Sequence, residues 1–237
     1  MDVVVAVGAW FLDPAHWTGA DAIPVRLIEH LGLSGATVLV GAAIGLPVGL
    51  AIGHSGRGSG VAIAVAGLGR AVPSYALLIF FVPLVGLGFA AAFPALVLLA
   101  IPPILVNTHA ALRGVDREAI EAGRAMGMTE PGLLRDVEIP LALPSIVAGF
   151  RTASVQVVAT ATLAALVAGG GLGRYIVDGL GLQQEDRLLA GAILVALLAL
   201  VVERGLSLVE RRLSARGEWA ARPSAGDALA AGGMTIS

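Results

Sequence analysis

Long apolar runs that carry at most one charged side chain are the feature that most limits how this chain can fold. The clearest extends from Leu33 to Ile52, and further runs occupy about 61–84, 90–111, 140–168 and 188–202. A bilayer core about 30 Å thick is crossed by roughly 20 residues of helix, and only helices and closed barrels satisfy their backbone groups in lipid. The sequence therefore predicts an all-α, polytopic membrane protein with about five transmembrane helices.

The composition excludes several other classes of protein. The chain is 57% hydrophobic and 14% charged with a formal net charge of -2, so a basic nucleic-acid surface is not expected. It has no cysteine, which excludes disulfides and thiolate metal sites. Its basic residues are all arginine, and without lysine it lacks the phosphate-binding loop that ends in Gly-Lys-Ser/Thr. We therefore expect no cofactor in this chain and any ATP to be bound elsewhere.

The pattern of charge divides the chain into three regions. Residues 1–32 contain a short apolar run without the preceding basic residues of a cleaved signal peptide, followed by a stretch that predicts an interfacial helix. Residues 33–209 form the predicted transmembrane domain. Residues 210–237 begin with Glu210-Arg211-Arg212 and continue into a stretch rich in glycine, alanine and serine, which predicts a disordered cytoplasmic tail.

The distribution of arginine predicts the orientation, because loops retained in the cytoplasm are enriched in basic residues. With five spans and the N-terminus outside, ten arginines fall inside: Arg57, Arg113, Arg117, Arg124, Arg135, Arg204, Arg211, Arg212, Arg216 and Arg222. Three fall outside, Arg26, Arg174 and Arg187, while Arg70 and Arg151 lie within spans. The sequence therefore predicts the N-terminus out and the C-terminus in, with the charged loop 112–140 in the cytoplasm.

That loop contains two short helical patterns. Asp116 is placed to cap a helix in which Ala119, Ala122 and Met126 share one face, and Gly127 is placed to end it. Thr129 is placed to cap a second helical turn, whose apolar residues Leu133, Leu134 and Val137 would brace the first helix against the fourth span. A short amphipathic helix parallel to the membrane suits docking into a groove on a partner.

The same loop carries a spaced motif. Glu121-Ala122-Gly123 is followed by three residues and Gly127, and then by nine residues and Val137-Glu138-Ile139-Pro140. This resembles the cytoplasmic signature of ATP-binding-cassette importer permeases, which is Glu-Ala-Ala, three residues, Gly, nine residues, Ile-x-Leu-Pro. The departures are Gly123, Val137 and Ile139.

The resemblance implies a type I importer permease fold and a coupling helix that docks into a cytoplasmic ABC ATPase, which would use the ATP and Mg. The residues implied in coupling are Glu121, Ala122, Gly123, Met126, Gly127, Val137, Ile139 and Pro140. The chain itself would perform no covalent chemistry.

The resemblance extends from Asp13 to Arg212. Over this range the chain is similar to the osmoprotectant branch of the family, which imports glycine betaine, carnitine or choline. Segments 13–17, 113–116, 159–163 and 169–173 carry it. It implies a multi-pass protein of the bacterial cytoplasmic membrane. Its implied partners are ATPase subunits, a second permease copy or homologous permease, and an extracytoplasmic substrate-binding protein. An importer of the same architecture for another small zwitterion, such as methionine, stays open.

Polar side chains within the spans are candidates for a translocation path. They are Arg70, Ser74 and Tyr75 in the second span and Gln156, Thr160 and Thr162 in the fourth. An arginine within a span either faces a cavity or partner, or snorkels to the headgroups. The hydroxyl and amide groups equally suit hydrogen bonds between helices. Because only 5% of the chain is aromatic, a tight aromatic cage for a quaternary ammonium group is not expected here.

Enzyme and channel alternatives receive less support from the residues. Gly53-His54-Ser55-Gly56 superficially resembles an intramembrane serine protease motif with His109 as base, but a glycine-rich loop at a membrane edge does not orient a nucleophile. The four histidines are scattered without metal-ligand spacing. The glycine run 169–173 is expected to break the fourth span and to shape an outer gate or contact the binding protein.

Overall fold

The computed structural model describes residues 3–60, 62, 64, 67 and 72–220, with side chains as far as residue 213. Its helices are α1 (Val3–Leu12), α2 (Ile23–Ser55), α3 (Ser74–Val85), α4 (Phe89–Arg113), α5 (Arg117–Ala125), α6 (Glu130–Leu133), α7 (Ile139–Thr160), α8 (Gly173–Gly181) and α9 (Glu185–Ala220). A π-helical turn, Leu134–Glu138, joins α6 to α7, and 3₁₀ helices occupy Pro14–His16 and Ala161–Val167. The described part of the chain is all-α, as the sequence predicts.

Four helical stretches in the described residues are long and apolar enough to cross a bilayer. They are Ile23–Ser55, Phe89–Arg113, Glu130–Val167 and Glu185–Leu213. The second predicted span, 61–84, is only partly described, and its described portion contains the shorter apolar helix α3. Arg70 lies outside the described residues. The expected number of about five spans therefore corresponds to four full-length helices and one partly described segment.

The first predicted boundary, at residue 32, is not a break in the structure. Helix α2 runs through it because the polar residues that suggested an interfacial helix satisfy one another. Arg26 forms ion pairs with Asp21 and Glu29 at the start of the helix. Pro24 lies in the first turn, where its missing N–H is not needed.

Two other boundaries also move outward. The fourth span, expected to begin at Pro140 or Pro144, is helical from Glu130, because the π-helical turn carries the helix through the charged residues. Helix α9 continues through 210–220, which we expected to begin a disordered tail, and Glu210 is fixed there by an ion pair with Arg151. Residues 221–237 lie outside the described part.

Helices α2 and α4 pack closely through a stripe of glycine on α2. Gly41, Gly45, Gly49 and Gly53 recur at every fourth residue and are all buried. A Cβ atom at Gly41 would lie 2.9 Å from Ala100 Cβ, and one at Gly53 would lie 2.8 Å from Leu112 Cβ. Small residues at this spacing let two membrane helices approach closely. The stripe fixes the distance between the ends of α2 and α4, where the candidate site lies.

The opposite end of the bundle is held by polar contacts around the glycine run. Gly170 and Gly171 adopt φ angles of +77° and +76°, which favour glycine, and confirm the predicted break after the fourth span. The Gly171 N–H donates to Glu29 Oε2 at 2.8 Å. The Tyr175 hydroxyl donates to the Asp21 carbonyl at 2.5 Å, and burial raises the pKa of Tyr175 to about 12.

Candidate functional site

The short helix α5 begins and ends as its sequence predicts. The Asp116 side chain accepts a hydrogen bond from the Glu118 N–H at 3.0 Å, which caps the first turn. At the other end Gly127 has a φ of +82° and donates to the Arg124 carbonyl at 2.9 Å, while the Met128 N–H donates to the Gly123 carbonyl at 3.2 Å. This pair of bonds is a Schellman motif. Helix α5 is therefore closed at both ends by local hydrogen bonds.

The turn that follows is packed against α5 through one glycine. Thr129 caps α6, as predicted, by accepting from the Gly132 N–H at 3.3 Å. Leu133 is fully buried, and a Cβ atom at Gly123 would lie only 2.6 Å from Leu133 Cδ1. Gly123 stands where the family signature has alanine. The close contact with Leu133 gives a physical reason for this departure.

The motif residues separate into an exposed group and a packed group. Glu121, Ala122, Met126 and Gly127 are exposed, and Met126 is 76% exposed, which is high for a large apolar side chain. Pro140 is also exposed, whereas Gly123 is buried and Val137 and Ile139 are half-buried. Ala119, expected on the same face as Met126, is half-buried too. The surface available to a partner is therefore the 121–127 end of the segment.

A network of charged side chains ties this segment to the end of α2. His54 Nδ1 lies 2.8 Å from Glu138 Oε2, and Nε2 of the same ring lies 3.4 Å from Glu130 Oε2. Arg124 donates from Nε and Nη2 to the two oxygens of Glu130, at 3.1 and 3.2 Å. The hydrogen bond to Glu130 raises the pKa of the Arg124 guanidinium above its ordinary value. Four side chains thereby connect α2, α5, α6 and the start of the fourth span.

Sequence reasoning missed this network. Glu138 is the variable position of the motif and only 3% exposed, and a buried carboxylate requires a partner. Its position just before an apolar span is the one signal that the sequence offers. The partner, His54, lies 84 residues earlier and cannot be identified from spacing.

A polar cavity of about 180 Å³ lies between the network and α5. Its polar lining residues come from the ends of α2 and α4, from α5 and from the π-helical turn: His54, Arg113, Arg117, Glu121, Arg124 and Glu138. The cavity therefore lies where two spans end and the short helix begins.

The described members of the predicted translocation path do not form one cluster. Ser74 is half-buried, and Tyr75 is 52% exposed. Thr160 and Thr162 donate to carbonyls of their own segment, those of Gln156 and Ala159, at 2.8 and 2.7 Å. Among the described residues, no hydrogen bond joins the Ser74 or Tyr75 side chain to the three fourth-span residues. Their role in transport stays a prediction.

Helix α7 has exposed polar residues along the border of its packed face. Ser145, Thr152 and Gln156 are exposed, whereas Gly149 and Ala153 are buried between them. The Thr152 hydroxyl donates to the Ala148 carbonyl of its own helix at 3.0 Å. In a membrane, polar side chains on a helix surface need a protein or water neighbour.

Arg151, which the sequence places within a span, is paired with two acidic residues of α9. Its Nη1 donates to Glu203 Oε1 at 2.5 Å, and its Nε lies 3.1 Å from Glu210 Oε2. The second contact is an ion pair without hydrogen-bond geometry, since Nε has no hydrogen-bond partner. The three charges join α7 to α9.

The helices and the 116–140 segment define a multi-pass membrane permease of the type I ABC importer fold. Residues 43–215 match the family of binding-protein-dependent transport system inner membrane components, and the chain belongs to that family. The predicted family and its location in the inner membrane are thereby confirmed.

Individual relatives are choline and carnitine transport permeases. The chain is 38% identical to the choline transport system permease protein OpuBB of Bacillus subtilis, over 84% of this chain and 92% of that protein. It is 43% identical to the carnitine transport permease protein OpuCB of Listeria monocytogenes, over 80% of this chain and 87% of that one. A chain of the MetNI methionine ABC transporter, in an inward-facing conformation, matches with a TM-score of 0.75 and 24% identity, covering 85% and 98% of the two chains. This last likeness confirms the fold.

Proposed function

We propose that this chain is the permease subunit of an ATP-driven importer and moves a small osmoprotectant, such as glycine betaine, carnitine or choline, by alternating access. The observation that carries the proposal is the 116–140 segment, which presents an exposed helix end on a base of buried contacts. The identity of 38% and 43% to choline and carnitine permeases supports the substrate class. The chain contributes the path, and a separate subunit hydrolyses ATP.

The coupling role is assigned to the exposed end of α5. Met126 and Ala122 offer small and apolar contacts to a groove, and Glu121 and Gly127 flank them. Gly123, Val137 and Ile139 face inward and would transmit a push from the ATPase into the bundle, and Pro140 marks the start of the fourth span. A short helix packed tightly against the spans transmits a displacement to them better than a flexible loop does.

The proposed orientation has the N-terminus outside and the C-terminus in the cytoplasm. The arginine distribution supports it, and it puts the 116–140 segment on the side where ATP is available. Substrate then enters at the end that contains the glycine run 169–173, where an extracytoplasmic binding protein would deliver it.

A second permease, either another copy or a homologous chain, would cover the exposed polar residues of α7. Ser145, Thr152 and Gln156 would then line the interface between the two permeases, near the bilayer midplane, as a translocation path requires. Thr160 continues this series outward. Ser74, Tyr75, Thr162 and Arg70 are proposed as further members of the path.

An importer of the same architecture for another small zwitterion, such as methionine, is the alternative. The fold matches a chain of a methionine transporter, so a different small zwitterion would use the same architecture. Uptake of radiolabelled choline, glycine betaine, carnitine and methionine by cells with and without the protein separates the two. Saturable uptake of methionine alone would overturn the osmoprotectant assignment and leave the importer assignment intact.

The coupling role is tested by a matched pair of glycine variants. Gly127 and Gly86 have φ angles of +82° and +86°, and a Cβ atom at either would meet nothing within 4 Å. Gly86 lies in the loop between α3 and α4, and its ψ of −175° puts it in a region almost restricted to glycine, so Gly86→Arg strains the backbone at least as much as Gly127→Arg. The tagged protein is purified from its own cell in mild detergent, and bound proteins are identified.

We expect wild type and Gly86→Arg to retain a cytoplasmic ATPase and Gly127→Arg to lose it, with Glu121→Arg as a second disrupting variant. Normal transport by Gly127→Arg at normal membrane levels would exclude the coupling role. A stable wild-type chain that retains no ATPase under several mild conditions would favour a channel or an intramembrane enzyme.

A further inference from the structure

The polar cavity beside α5 lies at the level where membrane helices meet water. Its walls include the last residues of two candidate spans, Gly53 and His54 of α2 and Leu112 and Arg113 of α4. Helix α5 closes it from the side with Arg117 and its neighbours. Because a bilayer core ends where the apolar helices end, the cavity lies at the depth of the lipid headgroups.

The charges of the cavity are unequal. Glu138 is hydrogen-bonded to His54, and Arg124 is paired with Glu130, which lies outside the lining. Arg113 and Arg117 form no ion pair with another residue in the described ranges, and Glu121 is the remaining acidic group of the lining. The lining therefore holds three arginines and two glutamates, a formal charge of +1 with His54 counted as neutral, and two of the three guanidinium groups, those of Arg113 and Arg117, have no ion-pair partner among the described residues.

The chemistry of these groups selects a phosphate oxygen as ligand. A guanidinium group presents a rigid fork of N–H donors that matches phosphate geometry and holds it through two parallel hydrogen bonds. Basic pockets between membrane helices on the cytoplasmic side accept phospholipid headgroups in the same way. A cavity of about 180 Å³ accommodates a phosphate group but not a large polar molecule.

We propose that this cavity binds a phosphate group through Arg113 and Arg117 and thereby fastens α5 to the end of α4. The group comes either from an anionic phospholipid or from free phosphate. This phosphate site is separate from the transport function. All the residues that bind the phosphate belong to the permease, so binding needs no other subunit. A bound phosphate would stabilise the coupling segment in one position relative to the spans.

The full-length permease is delipidated in a neutral detergent, and its thermal unfolding midpoint is measured with three probes: dioleoylphosphatidylglycerol, inorganic phosphate and dioleoylphosphatidylcholine. A shift with phosphatidylglycerol but not phosphatidylcholine identifies a lipid headgroup, since both carry a phosphate but only the first is anionic. A shift with inorganic phosphate as well identifies a site for the free ion. Absence of a shift with any phosphate probe overturns the proposal.

Variants then locate the binding. Arg113→Gln and Arg117→Gln are each expected to weaken the probe that binds by about tenfold, which is the loss of one charge-assisted hydrogen bond. The matched control is Arg135→Gln, whose side chain is 87% exposed and outside the cavity. Equal binding by the two cavity variants and the control overturns the site, since binding then follows total charge.

A variant with the opposite sign keeps the test decisive if an arginine variant unfolds. Glu121→Gln removes the free carboxylate of the lining and is expected to tighten phosphate binding by about fivefold. Weaker or unchanged binding in Glu121→Gln contradicts the assigned position of the ligand. None of these measurements requires the ATPase, so their failure would leave the proposed transport function standing.

Discussion

Gly49 of α2 lies directly against Thr108 of α4, so that a Cβ atom added at Gly49 would come within 2.8 Å of Thr108 Cβ and 2.7 Å of the Leu105 carbonyl oxygen. Both residues are buried, and the second contact is with backbone, which cannot rotate away. The close packing of α2 against α4 therefore requires a residue without a side chain at position 49.

Gly49→Ala is expected to lower the free energy of unfolding by about 1–3 kcal/mol, because the added methyl group forces α2 and α4 apart. Gly35→Ala on the same helix is the matched control, since a Cβ atom there meets nothing within 4 Å. Thermal unfolding in detergent measures both. Equal midpoints for the two variants would show that α2 and α4 are not held by this stripe.

His54→Ala is expected to lower the free energy of unfolding by about 1–3 kcal/mol, because it leaves the buried Glu138 carboxylate without its partner. In the double variant His54→Ala/Glu138→Gln the unpaired charge is gone, so the loss should be smaller than the sum of the two single losses. Denaturant unfolding of the four proteins measures this coupling. Strict additivity would mean that the His54 and Glu138 side chains do not interact.

Arg151→Gln is expected to lower the free energy of unfolding by about 1–3 kcal/mol, because the partly buried Glu203 and Glu210 lose their shared cation between two membrane helices. Glu203→Gln leaves Glu210 beside the arginine and should have a smaller effect. Adding Glu203→Gln to Arg151→Gln should recover part of the loss. Unfolding midpoints of the three variants measure these losses of stability. A double variant less stable than Arg151→Gln would contradict the assigned pairing.

Gly123→Ala restores the alanine of the family signature and is nevertheless expected to destabilise this chain by about 1–2 kcal/mol, since Leu133 is enclosed and cannot withdraw. Shortening that side chain in Gly123→Ala/Leu133→Val should relieve the contact. ATPase retention and thermal unfolding are measured together. A Gly123→Ala protein as stable as wild type would mean that α5 and α6 are less tightly packed than the structure shows.

Features set by neighbouring residues were predictable from the sequence, and contacts between distant segments were not. The caps at Asp116, Gly127 and Thr129 are formed by hydrogen bonds within a few residues, so their chemistry is visible in the local pattern. The ion pairs of His54 with Glu138 and of Arg151 with Glu203 depend on how the spans pack, and no local spacing encodes them.

The ends of the spans also depend on contacts that the local sequence does not show. A charge near an apolar run suggests the end of a span, but Arg26 finds partners in Asp21 and Glu29, and α2 simply continues. The glycine stripe of α2 had a visible period of four residues, yet only the structure shows that α4 is the helix packed against it.

The helical stretch from Glu130 to Val167 has 38 residues and passes, through a π-helical turn, α7 and a 3₁₀ helix, from the candidate coupling segment to the glycine run at the far end. At roughly 1.5 Å per residue the stretch is about 57 Å long. A tilt of about 10° about its middle, with the stretch moving as one body, would carry its two ends through about 5 Å in opposite directions. If these helical segments move together, a displacement imposed on the coupling segment reaches the glycine run in the opposite direction.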